Sequence, residues 1–163
     1  MQTFILLWLV GFSLLLQTTV LTYLRVAGVR PDLLLILVAF IGFWRGPREG
    51  GLWGVVAGLL CDLVAGGFVG LNALTKLLAG YLAGQAGVFF YRESSLTCAL
   101  VTGTVTLVAE LATYLLLLFL GIWLPLKNTL LYLILPVTAY NTVAAVVLFY
   151  PWQRLLSRRL RAR

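Results

Sequence analysis

The sequence has no histidine, only two cysteines and few charged residues. Of its 163 residues 10% are charged, and five of them are acidic. Without histidine the chain lacks the commonest general base and the commonest neutral metal ligand. Cys61 and Cys98 lie inside apolar segments with no C-x-x-C spacing, which is typical of small core residues rather than of zinc, haem or redox sites. Nothing in the sequence predicts a cofactor or a metal.

The chain is instead rich in apolar residues, which make up 62% of it, with a mean hydropathy of +1.04. A soluble domain cannot bury that much apolar surface, so the composition predicts an integral membrane protein. We predict one transmembrane bundle over residues 1–153 and a basic cytoplasmic tail over 154–163. The net charge of +7 is concentrated in that tail. Because the tail follows an apolar segment, we expect it to contact anionic lipid and no nucleic acid.

Hydropathy and turn residues together predict an all-α membrane protein with six transmembrane helices. A span needs about 20 apolar residues, and the second helix is short for one. Its charged ends would have to snorkel, or the bilayer would have to thin locally. The predicted helices are Phe4–Leu24, a second opened by Pro31 and Asp32 and ending at Trp44, Gly50–Gly66, Leu71–Tyr91, Leu96–Trp123 and Leu130–Tyr150.

Basic residues predict the orientation of the bundle. With six spans both termini share one side, which holds eight basic residues in loops and tail: Arg45, Arg48, Arg92, Arg154, Arg158, Arg159, Arg161 and Arg163. The other side holds four: Arg25, Arg30, Lys76 and Lys127. Basic residues favour the cytoplasm, so both termini are predicted to be cytoplasmic.

The third helix carries small residues at a spacing of four: Gly50, Gly54, Gly58, Asp62 and Gly66. This spacing places them along nearly one helix face, where glycine lets another backbone approach closely. Helix 4 has similar lines, formed by Ala79, Ala83 and Gly87 and by Gly80 and Gly84. These faces predict either packing between helices of this chain, which we favour, or an interface with a partner.

Polar residues inside the spans form a second candidate set: Asp62, Lys76, Glu110 and Asn141. Asp62 and Lys76 lie at similar depth on either side of the glycine turn, which predicts an ion pair. Glu110 and Asn141 lie near the middle of helices 5 and 6, which predicts a hydrogen bond that Tyr114 could join. Such a set could form a proton relay, an ion relay or a ligand site. Polar contacts that fix helix register are the favoured interpretation. No catalytic constellation is present, so an enzyme is not predicted.

Several short motifs follow one another along the chain in a specific order and spacing. They are Gln17-Thr18-Thr19-Val20-Leu21, Arg30-Pro31-Asp32-Leu33-Leu34-Leu35-Ile36-Leu37, Gly54-Val55-Val56-Ala57-Gly58-Leu59-Leu60-Cys61-Asp62-Leu63, Gly70-Leu71-Asn72-Ala73-Leu74, Glu110, Pro136, Asn141 and Pro151-Trp152 before a basic tail. In these motifs, and along nearly its whole length, the chain resembles the family of the rod shape-determining protein MreD.

This resemblance implies a non-enzymatic inner-membrane protein of the cell-elongation complex, which organises peptidoglycan synthesis and cell shape. The implied partners are MreC above all, then RodA with a class B penicillin-binding transpeptidase, and MreB indirectly. The implied fold is similar to the substrate-binding subunits of energy-coupling-factor vitamin transporters, which supplies an alternative function. Against it, helix 1 lacks the line of small residues with which those subunits dock, and the loops look too short to close over a ligand.

Overall fold

A computed structural model describes residues 2–19, 29–90 and 94–160, with side chains for all of these except Gln2 and residues 155–160. Several residues used above therefore lie outside the described part of the chain. They are the end of predicted helix 1, Arg25, Tyr91, Arg92, Arg161, Arg163 and the side chains of Arg158 and Arg159.

The described residues form six helices in the predicted order, which confirms the all-α fold class. They are α1 Gln2–Thr19, α2 Leu33–Arg45, α3 Pro47–Ala65, α4 Leu71–Phe89, α5 Ser95–Phe119 and α6, which begins as Leu126–Thr129, passes through a π-helical turn at Leu130–Ile134 and continues as Leu135–Leu160.

Two of the described helices are long and apolar enough to cross a membrane. They are α5, Ser95–Phe119, and the part of α6 that spans Leu126–Arg154. Thr3–Thr19 in α1 and Leu33–Arg45 in α2 are apolar but shorter. The described residues therefore include two membrane-capable helices, and six complete spans stay a prediction.

The short helix α2 lies at the centre of the fold. All ten residues from Leu34 to Phe43 are buried, and α2 contacts each of the other five helices. Residues of α2 belong to three buried apolar clusters. The first also contains residues of α1 and α3, the second residues of α4 and α5, and the third residues of α5 and α6. A helix that is apolar all round is covered by protein. The other helices therefore cover α2 on all sides.

A one-residue turn joins α2 to α3. Gly46 has φ +100°, a conformation that favours glycine, and Pro47 occupies the first turn of α3. Arg45 and Glu49 form an ion pair of 2.8 Å across the turn. The predicted turn over 45–49 is thus shorter than expected, and it directs α3 back along α2.

Helix α6 is longer than predicted at both ends. It begins at Leu126, after Pro125, so the expected loop at Lys127 and Asn128 is helical. The π-helical turn precedes Pro136, whose ring cannot fit against the carbonyl four residues earlier in a regular helix. Pro151 lies inside the helix, so the predicted end at Tyr150 is wrong, and the predicted tail begins as helix.

Candidate functional site

Most buried polar side chains meet at one end of the bundle. The end of α1, the start of α2, the end of α3 and the start of α4 lie there, facing the second half of α5 and the middle of α6. These elements bring together seven polar side chains: Gln17, Asp32, Asp62, Asn72, Lys76, Glu110 and Asn141. We call this set the polar cluster.

A buried ion pair between Lys76 and Asp32 joins α4 to α2. The Lys76 ammonium lies 2.8 Å from Asp32 Oδ2 and donates to Asn72 Oδ1 at 3.0 Å. Asp32 Oδ1 accepts the Leu35 N–H at 3.0 Å, so the same carboxylate caps α2. The predicted Asp62–Lys76 pair is therefore wrong. Lys76 reaches the carboxylate of the central helix, because Asp62 is already used elsewhere.

Asp62 caps the start of α4. Its carboxylate accepts the backbone N–H groups of Gly70, Asn72 and Ala73 at 2.8, 3.1 and 3.2 Å, and the Asn72 side-chain amide at 2.9 Å. Gly70 precedes the helix and has no side chain that could cap it. The free N–H groups of α4 therefore need an external acceptor, and a carboxylate at a helix N-terminus is favoured by the helix dipole.

Asn141 links three helices from a fully buried position on α6. Its Oδ1 accepts the Asp32 N–H at 2.9 Å, and its Nδ2 donates to Thr106 Oγ1 on α5 at 3.4 Å. The predicted bond to Glu110 is therefore wrong. Tyr114 likewise bonds elsewhere, since its hydroxyl donates to the Leu124 carbonyl at 3.0 Å. The Asn141 amide oxygen instead accepts the backbone N–H of Asp32, the N-cap residue of α2.

Three members of the polar cluster were not recognised as site residues from the sequence. The sequence shows Gln17 and Asn72 only as parts of motifs and Asp32 only as a helix start. Gln17 is buried, and its Oε1 accepts the Leu34 N–H at 3.3 Å. The positions of these three residues in the sequence could have identified them, because all three lie at helix ends on the side of the bundle where Asp62 and Lys76 lie.

A cavity of about 400 Å³ opens beside the polar cluster. Eleven residues line it: Gln17, Val29, Arg30, Pro31, Asp32, Cys61, Ala65, Asn72, Glu110, Leu133 and Val137. Within the described residues no group of three or more metal-ligating side chains is present. The arrangement can hold a polar or charged group against Arg30 and Glu110. It offers no nucleophile paired with a base.

The small-residue faces of α3 and α4 pack against each other. A Cβ on Gly54 would lie 2.2 Å from the Lys76 carbonyl oxygen, and one on Gly58 would lie 2.4 Å from the Ala73 Cα. Gly50 and Gly80 meet in the same way, with a distance of 2.1 Å from a Cβ on Gly80 to the Gly50 oxygen. The glycine faces are therefore internal, and a partner interface on Gly50, Gly54 and Gly58 is wrong.

The remaining candidate positions on α4 are also filled by the chain itself. Ala79 and Ala83 are fully buried in the cluster formed with α2 and α5. Gly84 contacts the start of α3, where a Cβ would lie 2.3 Å from Pro47 backbone atoms. Gly66, the last residue of the line on α3, is exposed in the turn after the helix with φ +65°. Close helix packing is the role of these small residues other than Gly66, which allows the turn.

Comparison with known proteins gives one match. The family model of the rod shape-determining protein MreD matches residues 1–160. No curated protein and no solved structure matches the chain, so the predicted likeness to energy-coupling-factor subunits stays a prediction. MreD proteins are membrane proteins that determine rod shape, in agreement with the two membrane-capable helices. On a match that covers nearly every residue, the chain belongs to the rod shape-determining protein MreD family.

Proposed function

We propose that this protein is a non-enzymatic component of the bacterial cell-elongation complex that binds MreC and helps to organise peptidoglycan synthesis. The observation that carries the proposal is the family match over residues 1–160. RodA, the class B penicillin-binding transpeptidase and, indirectly, MreB are the further partners that this role implies. No observation favours the vitamin-transporter alternative.

The outward face of α1 is the surface that we assign to the partner. A Cβ added to Gly11 would meet no atom within 4 Å. Large side chains surround this glycine and form with it a shallow groove of about 480 Å³, lined by Phe4, Leu7, Trp8, Gly11, Phe12, Leu14 and Leu15. Lipid tails give apolar helices no hydrophobic reason to associate, so close packing at a small residue must supply the contact. A single transmembrane helix of MreC fits that requirement.

Co-purification from detergent tests the proposal. The wild-type protein, expressed with MreC, should retain it through two affinity steps, as measured by mass spectrometry. Gly11→Leu should accumulate and elute as a folded protein, because a Cβ at this position meets no atom within 4 Å, but it should lose MreC and leave cells rounded. Absence of MreC from the wild-type preparation would contradict the proposed function.

We also propose that both termini lie in the cytoplasm and that the basic tail contacts anionic lipid. The support is the excess of arginine at one end of the chain. Single cysteines, placed after Cys61 and Cys98 are replaced, can be labelled with a membrane-impermeant thiol reagent. A tail cysteine should react only after the cells are opened, and labelling in intact cells would overturn this orientation.

A further inference from the structure

Glu110 differs from the other charged members of the polar cluster. Asp62 accepts four hydrogen bonds, and Lys76 and Asp32 pair with each other. The Glu110 carboxylate forms neither a hydrogen bond nor an ion pair within the described part of the chain. Ionisable groups in membrane segments are costly unless they are paired, and they commonly mark functional sites. The described residues therefore leave the Glu110 carboxylate without a partner.

The surroundings of Glu110 determine what could pair with it. The carboxylate lines the cavity of about 400 Å³ together with Arg30 and Asp32. The Asp32 charge is balanced by Lys76 at 2.8 Å, and the exposed Arg30 forms no ion pair with Glu110. The Lys76 ammonium, which is the buried cation of the polar cluster, is thus already paired with Asp32. A carboxylate accepts N–H donors of a cationic group most strongly, and the cavity has room for one.

We propose that this cavity receives a cationic group, an ammonium or a guanidinium, which pairs with Glu110 and is carried by a lysine or arginine side chain of the partner protein. The choice of a protein as the source of the cation rests on the proposed function. The cavity and the groove at Gly11 would then be two contact points for the partner, one polar and one apolar. A free small amine carries the same chemistry, and the experiment distinguishes the two sources.

Cys61 provides a native reporter, because it lines the same cavity and is half-buried. In a Cys98→Ala background, the purified protein is treated with a cationic or an anionic methanethiosulfonate, and both labelling rates are measured by mass spectrometry. Glu110→Gln keeps the size of the side chain and removes its charge. We expect the ratio of cationic to anionic labelling to fall by about tenfold in this variant, because the charge of a cleft attracts or repels such reagents.

Two further variants make the result specific. Glu49→Gln is the matched control, since this carboxylate belongs to the exposed pair with Arg45 and does not line the cavity. It should leave the ratio unchanged. If Cys61 reacts with neither reagent, Ala65→Cys, an exposed position on the same cavity, replaces it as the reporter. An unchanged ratio in Glu110→Gln would overturn the cation site.

The source of the cation is tested on the complex with MreC. We expect cysteine labelling to slow at least about fivefold in the complex, and this protection to be lost in Glu110→Gln. If butylammonium slows labelling of the isolated protein while the complex labels at the unprotected rate, the cavity binds a free amine and the protein source is overturned. Failure of MreC to co-purify with the wild type would contradict the proposed function alone, because the labelling ratio does not depend on MreC.

Discussion

The α3–α4 interface and the outward face of α1 both contain glycine, but only the first is filled by the chain. A Cβ on Gly54 would lie 2.2 Å from the Lys76 carbonyl oxygen, whereas a Cβ on Gly11 would meet no atom within 4 Å. The same residue type therefore closes the fold in one place and leaves a groove in the other.

Glycine spacing thus predicts close helix packing, but it does not identify which helix packs against the glycines. Gly50, Gly54 and Gly58 follow a regular spacing because two helices of one hairpin stay in contact over their length. Gly11 stands alone between bulky neighbours. An isolated glycine with no internal contact is the better candidate for a partner, and the predictions below test each side of this comparison.

The largest effect is expected from Gly54→Leu. Its side chain would overlap the backbone of α4 at Lys76 and Leu77, and backbone cannot move aside without separating the two helices. We expect loss of the folded protein from the membrane, measured by immunoblot and by size-exclusion chromatography. Gly11→Leu is the matched control and should accumulate at the wild-type level. Normal accumulation of Gly54→Leu would contradict the internal packing of this face.

The ion pair on the filled side should produce the next effect. Lys76→Met leaves the buried Asp32 carboxylate without its cation, which we expect to cost about 3–5 kcal/mol. The double variant Asp32→Asn/Lys76→Met should be more stable than the sum of the single losses predicts, because it removes both charges. Thermal unfolding in detergent measures each value.

A second cycle excludes the alternative pairing. In Asp62→Asn/Lys76→Met we expect a smaller recovery than in the Asp32 pair, because Asp62 and Lys76 share no direct contact and are coupled only through Asn72. If stability recovers clearly in the Asp62/Lys76 double variant while the losses add in the Asp32/Lys76 double variant, Lys76 pairs with Asp62 and not with Asp32.

A smaller loss is expected from Asp62→Asn alone. The amide keeps one acceptor oxygen, but it loses the charge that favours the start of α4 and one set of hydrogen bonds. We expect a loss of about 1–3 kcal/mol by the same unfolding measurement. Glu49→Gln, which removes an exposed carboxylate from its ion pair, should cost less than about 1 kcal/mol. Equal losses in the two variants would contradict the capping role.

Much of the fold could be predicted from the sequence, because long apolar segments and glycine or proline turns mark the helices. The order of all six helices was correct, as was the start of α2 after Asp32. The predicted end of α6 at Tyr150 is wrong because the helix continues through Pro151. The central position of α2 was also not predicted. A short apolar helix of a membrane protein is expected to span the bilayer, whereas α2 is covered by the other helices.

The polar cluster was only partly predictable. The sequence shows which polar residues lie at similar depth, but not which of several candidates pair. Lys76 had two carboxylates in reach, and the choice depended on Asp62 being occupied by the amides of α4. The predicted bond from Asn141 to Glu110 is wrong for a similar reason. The Asp32 N–H needs an acceptor at the start of α2, and this need arises only once the helix has formed.

Site-specific photo-crosslinking in cells tests the central claim most directly, because it asks which surface touches the partner. A photoreactive residue is placed at Trp8 or Leu15, which are exposed on α1, and at Leu115 or Val147, which are exposed on α5 and α6. We expect adducts with MreC from the α1 positions and none from the α5 and α6 positions. Adducts from α5 or α6 with none from α1 would show that the partner does not bind the outward face of α1.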